Sequence, residues 1–102
     1  MKSINIHIKS TVEYMMNYSS TSSTENVTVI NCNTLCKTMQ RWEKSLPSVV
    51  PHYAVKCNPH PCMIEQMMSL GSGFDCASPA EIRAVLKAGA KPSQIIYANA
   101  MK

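Results

Sequence analysis

Apolar residues recur along the chain with two periods, one typical of strands and one typical of helices. Residues 27–31 are rich in β-branched side chains, which favours a strand. Beyond them, apolar residues recur at helical spacing, at Leu35, Met39, Trp42 and Leu46. We therefore predict an amphipathic helix over residues 34–45, capped by Asn33 and stopped by Pro47, with Trp42 packed in the core.

The second half of the chain alternates short apolar runs with longer amphipathic segments. The runs at residues 53–57, 74–77 and 95–98 are almost uncharged and predict strands. A helix opened by Pro61 and ended by Gly71 separates the first two strands. Five of its apolar side chains are expected in the core: Met63, Ile64, Met67, Met68 and Leu70.

The next helix begins at a capping box over residues 78–81, in which Ser78 and Glu81 form the reciprocal pair. It ends at Gly89 and is expected to bury Ile82, Val85 and Leu86. Strands that alternate with helices through short connections predict an α/β fold with a parallel βαβαβ sheet. This pattern fits both a doubly wound sheet and a (β/α)₈ barrel.

The first 26 residues differ from the rest, because they are polar and have no periodicity. We predict a loose arm there, since such a segment buries too little apolar surface to offset its ordering entropy. No apolar stretch resembles a signal peptide or a membrane span, so a cytoplasmic protein without membrane contact is expected. The net charge of +4 comes from scattered basic residues, which does not indicate nucleic-acid binding.

The chain has five cysteines, an odd number in a sequence without an export signal. This favours reduced thiols over a disulfide framework. A zinc site is disfavoured, because the spacing from Cys32 to Cys36 differs from that between Cys57 and Cys62 and the histidines form no matching pair.

Lys56 is the first candidate for chemistry, since it lies near the end of the otherwise uncharged run 51–58, which is typical of a buried strand. A lysine withdrawn from water favours its neutral amine, which is a nucleophile for carbonyl carbons. On an extended strand Lys56 shares a face with Ala54, and a parallel neighbour can bring Asp75 beside it. The alternatives are a lysine that extends into solvent and a purely structural ion pair.

Three strings carry a resemblance to a known family: YAVKCN at residues 53–58, GSGFDCAS at residues 71–78 and IIYAN at residues 95–99. In this order and spacing they resemble the opening of the eukaryotic ornithine decarboxylases, which are barrel-type pyridoxal-phosphate-dependent decarboxylases. The resemblance implies the first three βα units of a (β/α)₈ TIM barrel of the alanine-racemase-like type. Because such a barrel takes about 250 residues, we expect an N-terminal fragment with an arm at residues 1–26 and an incomplete barrel domain at residues 27–102.

The resemblance also implies the chemistry. Lys56 matches the lysine that binds pyridoxal 5'-phosphate, and Asp75 and Glu81 match acidic positions at that site. Glu81 already has a local explanation as a capping residue, so the candidate catalytic residues are Lys56 and Asp75. The candidate cofactor-binding residues are these two and Ala54. The implied reaction is decarboxylation of L-ornithine to putrescine by a homodimer.

Other residues of that family's site, including the phosphate-binding glycines and the residues that cross the dimer interface, belong to later sequence. The chain alone is therefore expected to be inactive. Two alternatives stay open: an inactive homologue that acts as a regulatory binding protein, and a related enzyme for arginine, lysine or diaminopimelate, or a racemase-like cofactor carrier. The string FDCAS with Asp75 favours an enzyme, and Cys57 favours ornithine.

Overall fold

The computed structural model describes residues 30–100. The chain divides into two units after Asn31, and the fold described below is that of the second unit. The predicted arm at residues 1–26 lies outside the described residues. So does the predicted strand at residues 27–31, apart from Ile30 and Asn31, which belong to neither a helix nor a strand.

Three parallel strands form one sheet in the order β1-β2-β3. They are β1 (His52–Ala54), β2 (Gly73–Cys76) and β3 (Ile95–Tyr97). Tyr53 is the register partner of Phe74, and Phe74 is the partner of Ile95. The predicted parallel βαβαβ arrangement is confirmed.

Three α-helices accompany the sheet: α1 (Cys32–Ser45), α2 (Pro61–Ser69) and α3 (Pro79–Lys87). Two short 3-10 helices, Val55–Cys57 and Pro92–Gln94, follow β1 and precede β3. The α2 and α3 helices each begin with a proline and are followed by a glycine with positive φ, Gly71 at 81° and Gly89 at 100°. The α1 helix begins at Cys32, so Asn33 lies inside its first turn and is not the N-cap.

The hydrophobic core lies between the helices and one face of the sheet. Phe74 and Cys76 of β2 are fully buried there. Eight buried residues form the cluster: Met39, Val55, Ile64, Met67, Phe74, Cys76, Val85 and Ala90. The apolar face predicted for α2 is confirmed, since Met63, Ile64 and Met67 are buried and Met68 and Leu70 pack against the cluster.

Two core predictions need correction. Leu86 is 42% exposed, because Ile82 and Val85 define the inward face of α3 and Leu86 lies beside it. Trp42 is half-buried and lies outside the core cluster. Its indole Nε1 donates a hydrogen bond to the Val49 carbonyl at 2.8 Å, so it fastens the connection between α1 and β1.

The first strand is shorter than its sequence predicts. Pairing with β2 ends at Ala54, and residues 55–57 turn into a 3-10 helix. The Tyr53 hydroxyl donates a hydrogen bond to the Asn58 carbonyl at 3.0 Å, which spans and closes this turn. Val55 is fully buried in the turn, whereas Lys56 and Cys57 are exposed. An apolar run therefore continues beyond the strand because Val55 anchors a turn in the core.

None of the helices in residues 30–100 combines the length and apolar character that a membrane crossing requires. The same part of the chain contains no cluster of three or more acidic, histidine or cysteine side chains placed to hold a metal ion. All five cysteines are free thiols.

Candidate functional site

The candidate residues lie at one edge of the sheet. Because the strands are parallel, their carboxyl ends meet at the same edge. Lys56 comes two residues after the end of β1, Asp75 lies near the end of β2, and Asn99 comes two residues after the end of β3. This carboxyl edge is where parallel α/β folds place their chemistry.

Lys56 is exposed on the 3-10 turn and is not a buried strand residue. The expectation that it is withdrawn from water is therefore wrong for this structure, and the alternative of a lysine that reaches solvent describes it. The physical reason is the turn itself, which uses Val55 as its buried anchor and leaves the next side chain outside the core. The amine is accessible to a ligand at the carboxyl edge.

Ala54, Asp75 and Ile96 form a row across the three strands, since each is the register partner of the next. Side chains in one row share a face of a parallel sheet. This face is the more open one, because Ala54 and Asp75 are half-buried and Ile96 is 48% exposed. The register therefore places Ala54 and Asp75 on a common face of the sheet.

Asp75 does not lie beside Lys56 in the strand register. Its partner is Ala54, two residues before the lysine, and within residues 30–100 there is no ion pair between Asp75 and Lys56. The strand alternation that would align Lys56 with Ala54 ends when the backbone enters the 3-10 turn. Both residues nevertheless belong to the carboxyl edge.

The peptide groups of Ala77 are fixed on both sides at the end of β2. The Glu81 carboxylate accepts a hydrogen bond from the Ala77 amide at 2.6 Å. The Asn99 side-chain amide donates to the Ala77 carbonyl and to the Tyr97 hydroxyl, both at 3.1 Å. The predicted reciprocal capping box is thus half confirmed, because Ser78 accepts from the Glu81 amide but Glu81 reaches one residue further back than the N-cap.

Burial and nearby carboxylates shape the electrostatics of this edge. The pKa of the Cys76 thiol is raised by burial first, and then by the negative charges of Glu81 and Asp75. The pKa of the Tyr53 phenol is raised by burial first and then by the negative charge of the Cys57 thiolate. Both groups therefore keep their protons at neutral pH, and Tyr53 remains a hydrogen-bond donor to the turn that carries Lys56.

Sequence reasoning missed two residues of the edge, Tyr53 and Asn99. Tyr53 belongs to the string YAVKCN and Asn99 to the string IIYAN. Their hydrogen bonds, however, cannot be predicted from residue type or spacing. Tyr53 bonds to a carbonyl beyond a turn, and Asn99 bonds to a residue on another strand. Such contacts depend on how the strands are placed side by side.

Comparisons with known proteins cover most of this structure. The family model described as "Pyridoxal-dependent decarboxylase, pyridoxal binding domain" matches residues 32–102. The chloroplastic ornithine decarboxylase of Nicotiana glutinosa is 45% identical over 74 residues, which are 72% of this chain and 17% of that protein. The ornithine decarboxylase of Neurospora crassa is 53% identical over 62 residues, or 61% of this chain and 13% of that protein.

Solved structures give the same picture. The ornithine decarboxylase of Entamoeba histolytica has a TM-score of 0.78 and 38% identity, over 87% of this chain and 29% of that one. The Paramecium bursaria Chlorella virus arginine decarboxylase bound to agmatine has a TM-score of 0.80 and 33% identity, over 88% of this chain and 24% of that one. These neighbours confirm the predicted α/β fold as part of a barrel. The chain spans about one sixth of the length of the curated relatives it matches.

Proposed function

Because this chain belongs to the pyridoxal-dependent decarboxylase family, we propose that Lys56 covalently anchors pyridoxal 5'-phosphate in an enzyme that decarboxylates L-ornithine to putrescine. One observation carries the proposal: Lys56 is an accessible amine at the carboxyl edge of a parallel sheet within the part that matches the pyridoxal binding domain. The names of the matched relatives, which are ornithine decarboxylases, support the choice of substrate.

The residues of the carboxyl edge are suited to anchor the cofactor covalently. Pyridoxal phosphate carries an aldehyde, and a primary amine is the group that condenses with it. Lys56 offers that amine on an exposed turn, and the turn is held in place by a core residue, Val55, and by the Tyr53 hydroxyl. Asp75 and Ala54 line the open face of the sheet next to it.

When bound, pyridoxal phosphate supplies the electron sink for the electron pair left when carbon dioxide departs from an amino acid. The protein residues have positioning roles in this proposal. Lys56 holds the cofactor, and Asp75 provides a negative charge on the adjoining strand. Glu81 and Asn99 fix the backbone two residues beyond Asp75, which keeps the end of β2 rigid.

A second candidate is an enzyme for a related amino acid. The arginine decarboxylase structure aligns with a TM-score of 0.80, as well as the ornithine decarboxylase structure does. The aligned part is 88% of this chain and 24% of the arginine decarboxylase, and it does not distinguish between substrates. Carbon dioxide release from ornithine, arginine, lysine and diaminopimelate by the complete enzyme decides between them, and release from none of the four favours a regulatory binding protein.

The proposal includes three further features of the complete protein. Residues 27–102 contribute to the barrel domain that binds the cofactor, and the family match begins close to this boundary, at residue 32. We propose a homodimer located in the cytoplasm. Sedimentation of the purified enzyme and fractionation of cells that produce it test these two features.

The anchor is tested by reducing the cofactor-loaded complete enzyme with borohydride and mapping the labelled peptide. The label is expected on Lys56 and is expected to disappear in Lys56→Ala. Because Lys56 is exposed, the substitution should change the free energy of unfolding by no more than about 0.5 kcal/mol. Lys44→Ala, at an exposed lysine in the last turn of α1, is the matched control and should keep the label. A label on any other lysine contradicts the assignment.

Asp75→Asn tests the carboxylate in the same enzyme, because it keeps the shape of the side chain and removes its charge. Turnover is expected to fall by more than thermal stability does. Unchanged turnover in Asp75→Asn excludes a role for the charge in catalysis, and a large loss of stability with normal turnover assigns Asp75 a structural role.

A further inference from the structure

The α1 and α2 helices pack side by side and run in the same direction. The α2 helix connects two parallel strands, so it runs opposite to them, and α1 leads into β1 through a short connection in the same sense. One contact fixes how the helices are aligned. The Gln66 side-chain amide lies 3.6 Å from the Cys36 sulfur, as donor to acceptor.

This alignment brings two thiols together. Cys32 lies one helical turn before Cys36, and Cys62 lies one turn before Gln66, so in parallel helices the two cysteines are neighbours as well. Burial raises the pKa of the Cys62 thiol first, and Cys32 raises it further, as expected for neighbouring thiols. Both are half-buried free thiols, each in the first turn of its helix.

The other cysteines have different surroundings. Cys76 is fully buried in the core, and Cys57 is exposed on the turn beside Lys56. The Cys36 sulfur accepts the hydrogen bond from Gln66. Cys32 and Cys62 are therefore the thiols that the fold sets against each other.

We propose that Cys32 and Cys62 form a modification site that a low-molecular-weight disulfide converts into an intramolecular disulfide. One thiolate attacks the small disulfide, forms a mixed disulfide and releases one small thiol. The second cysteine then attacks the protein sulfur and releases the other small thiol. The two cysteines together lose two protons and two electrons, and the small disulfide gains both as two thiols.

The chemistry of the pair sets its pH dependence. The pKa of the Cys62 thiol is raised by burial first, then by Cys32, and also by Glu65. Cys62 is consequently protonated at neutral pH, and exchange through it should accelerate as the pH rises. The disulfide would close a loop that contains β1 and the turn of Lys56, so it would tie two helices together around the candidate site.

The separation of the cysteines along the sequence makes the proposal testable, because loop closure in an unfolded chain favours Cys57 over Cys32 as the partner of Cys62. Cys62 is five residues from Cys57 and thirty from Cys32. In an unfolded chain the shorter loop closes about fifteenfold more readily, by the three-halves-power dependence on loop length. A preference for Cys32 therefore reports the packing of α1 against α2.

The experiment incubates the complete enzyme with oxidised glutathione, blocks the remaining thiols by alkylation and quantifies cross-linked peptides by mass spectrometry. In buffer, the Cys32–Cys62 peptide is expected to exceed the Cys57–Cys62 peptide by about tenfold, and in strong urea the ratio should reverse by about fifteenfold. Cys36→Ser is the matched control and should leave the Cys32–Cys62 product unchanged, whereas Cys62→Ser should abolish it.

Dominance of the Cys57–Cys62 peptide in buffer, or equal amounts of all pairs, overturns the proposal. So does stable glutathione on both Cys32 and Cys62 without a cross-link, since neighbouring thiols would resolve the mixed disulfide. A Cys36–Cys62 peptide in place of the proposed one also contradicts the proposal, because it would place the partner of Cys62 one turn further along α1.

Discussion

At the scale of single residues, Gly73 and His52 show how tightly one strand limits its neighbour. They are register partners on β2 and β1. A Cβ added at Gly73 would lie 2.5 Å from two atoms of the His52 imidazole and 3.0 Å from the Gln94 carbonyl oxygen. The imidazole therefore occupies the space that a side chain at Gly73 would need.

Gly73→Ala is expected to lower the free energy of unfolding by about 1–3 kcal/mol, because the added methyl group must displace the imidazole. Chemical denaturation of the variant measures this. In the double variant, His52→Ala should restore most of the unfolding free energy that Gly73→Ala removes. A smaller loss should remain, because the Gln94 carbonyl belongs to the backbone and cannot move aside. Additive losses in the double variant would show that His52 is not the obstacle.

Cys76 gives a second residue-level prediction, concerning pH. Its pKa is raised by burial and by Glu81 and Asp75, so the folded state holds the thiol proton more tightly than the unfolded state. The contribution to stability is complete below the ordinary pKa of 9.0 and is lost as the pH rises through the folded-state value. Tyr53 and Cys62 are shifted in the same direction.

Stability should therefore decline on the alkaline side of about pH 9. Cys76→Ala is expected to be less stable at neutral pH, because it leaves a small cavity, but its stability should decline less steeply with rising pH. Urea unfolding at several pH values compares the two slopes. Identical slopes in Cys76→Ala and the unmodified chain would contradict a perturbed thiol at this position.

At the scale of elements, the beginning of α3 depends on two side chains that stabilise different amides. Ser78 accepts from the Glu81 amide at 3.2 Å, and the Glu81 carboxylate accepts from the Ala77 amide at 2.6 Å. The first bond caps the helix, and the second connects the helix to the end of β2. Glu81 therefore belongs both to the helix start and to the carboxyl edge.

Ser78→Ala is expected to cost about 1 kcal/mol of unfolding free energy, as for other helix caps. Glu81→Ala should cost more, about 1.5–3 kcal/mol, because it removes a charged acceptor from a half-buried amide. Glu65→Ala, at an exposed residue of α2, is the matched control and should change stability by about 0.5 kcal/mol or less. Equal effects of Glu81→Ala and Glu65→Ala would mean that the 2.6 Å bond does not stabilise the fold.

Elements were predictable to different degrees. The α2 and α3 helices have proline at the start, glycine after the end and an apolar stripe, so their positions followed from local signals. The end of β1 did not follow, because Val55 reads as one more strand residue although it anchors a turn. Only its position relative to the core distinguishes these possibilities.

At the scale of the whole molecule, the outer strands β1 and β3 pair on one side only within the described sheet, and its open face carries Ile96. Several apolar side chains are also exposed: Leu46, Val49, Val50, Leu86 and Tyr97. Unpaired strand edges and exposed apolar surface favour association with other chains.

The isolated 102-residue chain is therefore expected to self-associate, bind a hydrophobic dye and release no carbon dioxide from ornithine in the presence of pyridoxal phosphate. Sedimentation, dye fluorescence and a carbon dioxide assay measure the three properties. A monomer that excludes the dye would show that these surfaces are compatible with an independent domain. Carbon dioxide release would show that the residues within this chain are sufficient for catalysis.

The sequence by itself determined the alternation of strands and helices, the parallel sheet, the family and the candidate lysine. These features depend on local periodicity, on proline and glycine at helix ends and on short strings of residues, all of which are present in the linear order. The tertiary structure decided that Lys56 is exposed on a turn, that Asp75 faces Ala54, and that Asn99 and Glu81 both bind Ala77. The physical reason is that register between strands, and the position of a side chain relative to the core, are set by contacts between residues distant in sequence.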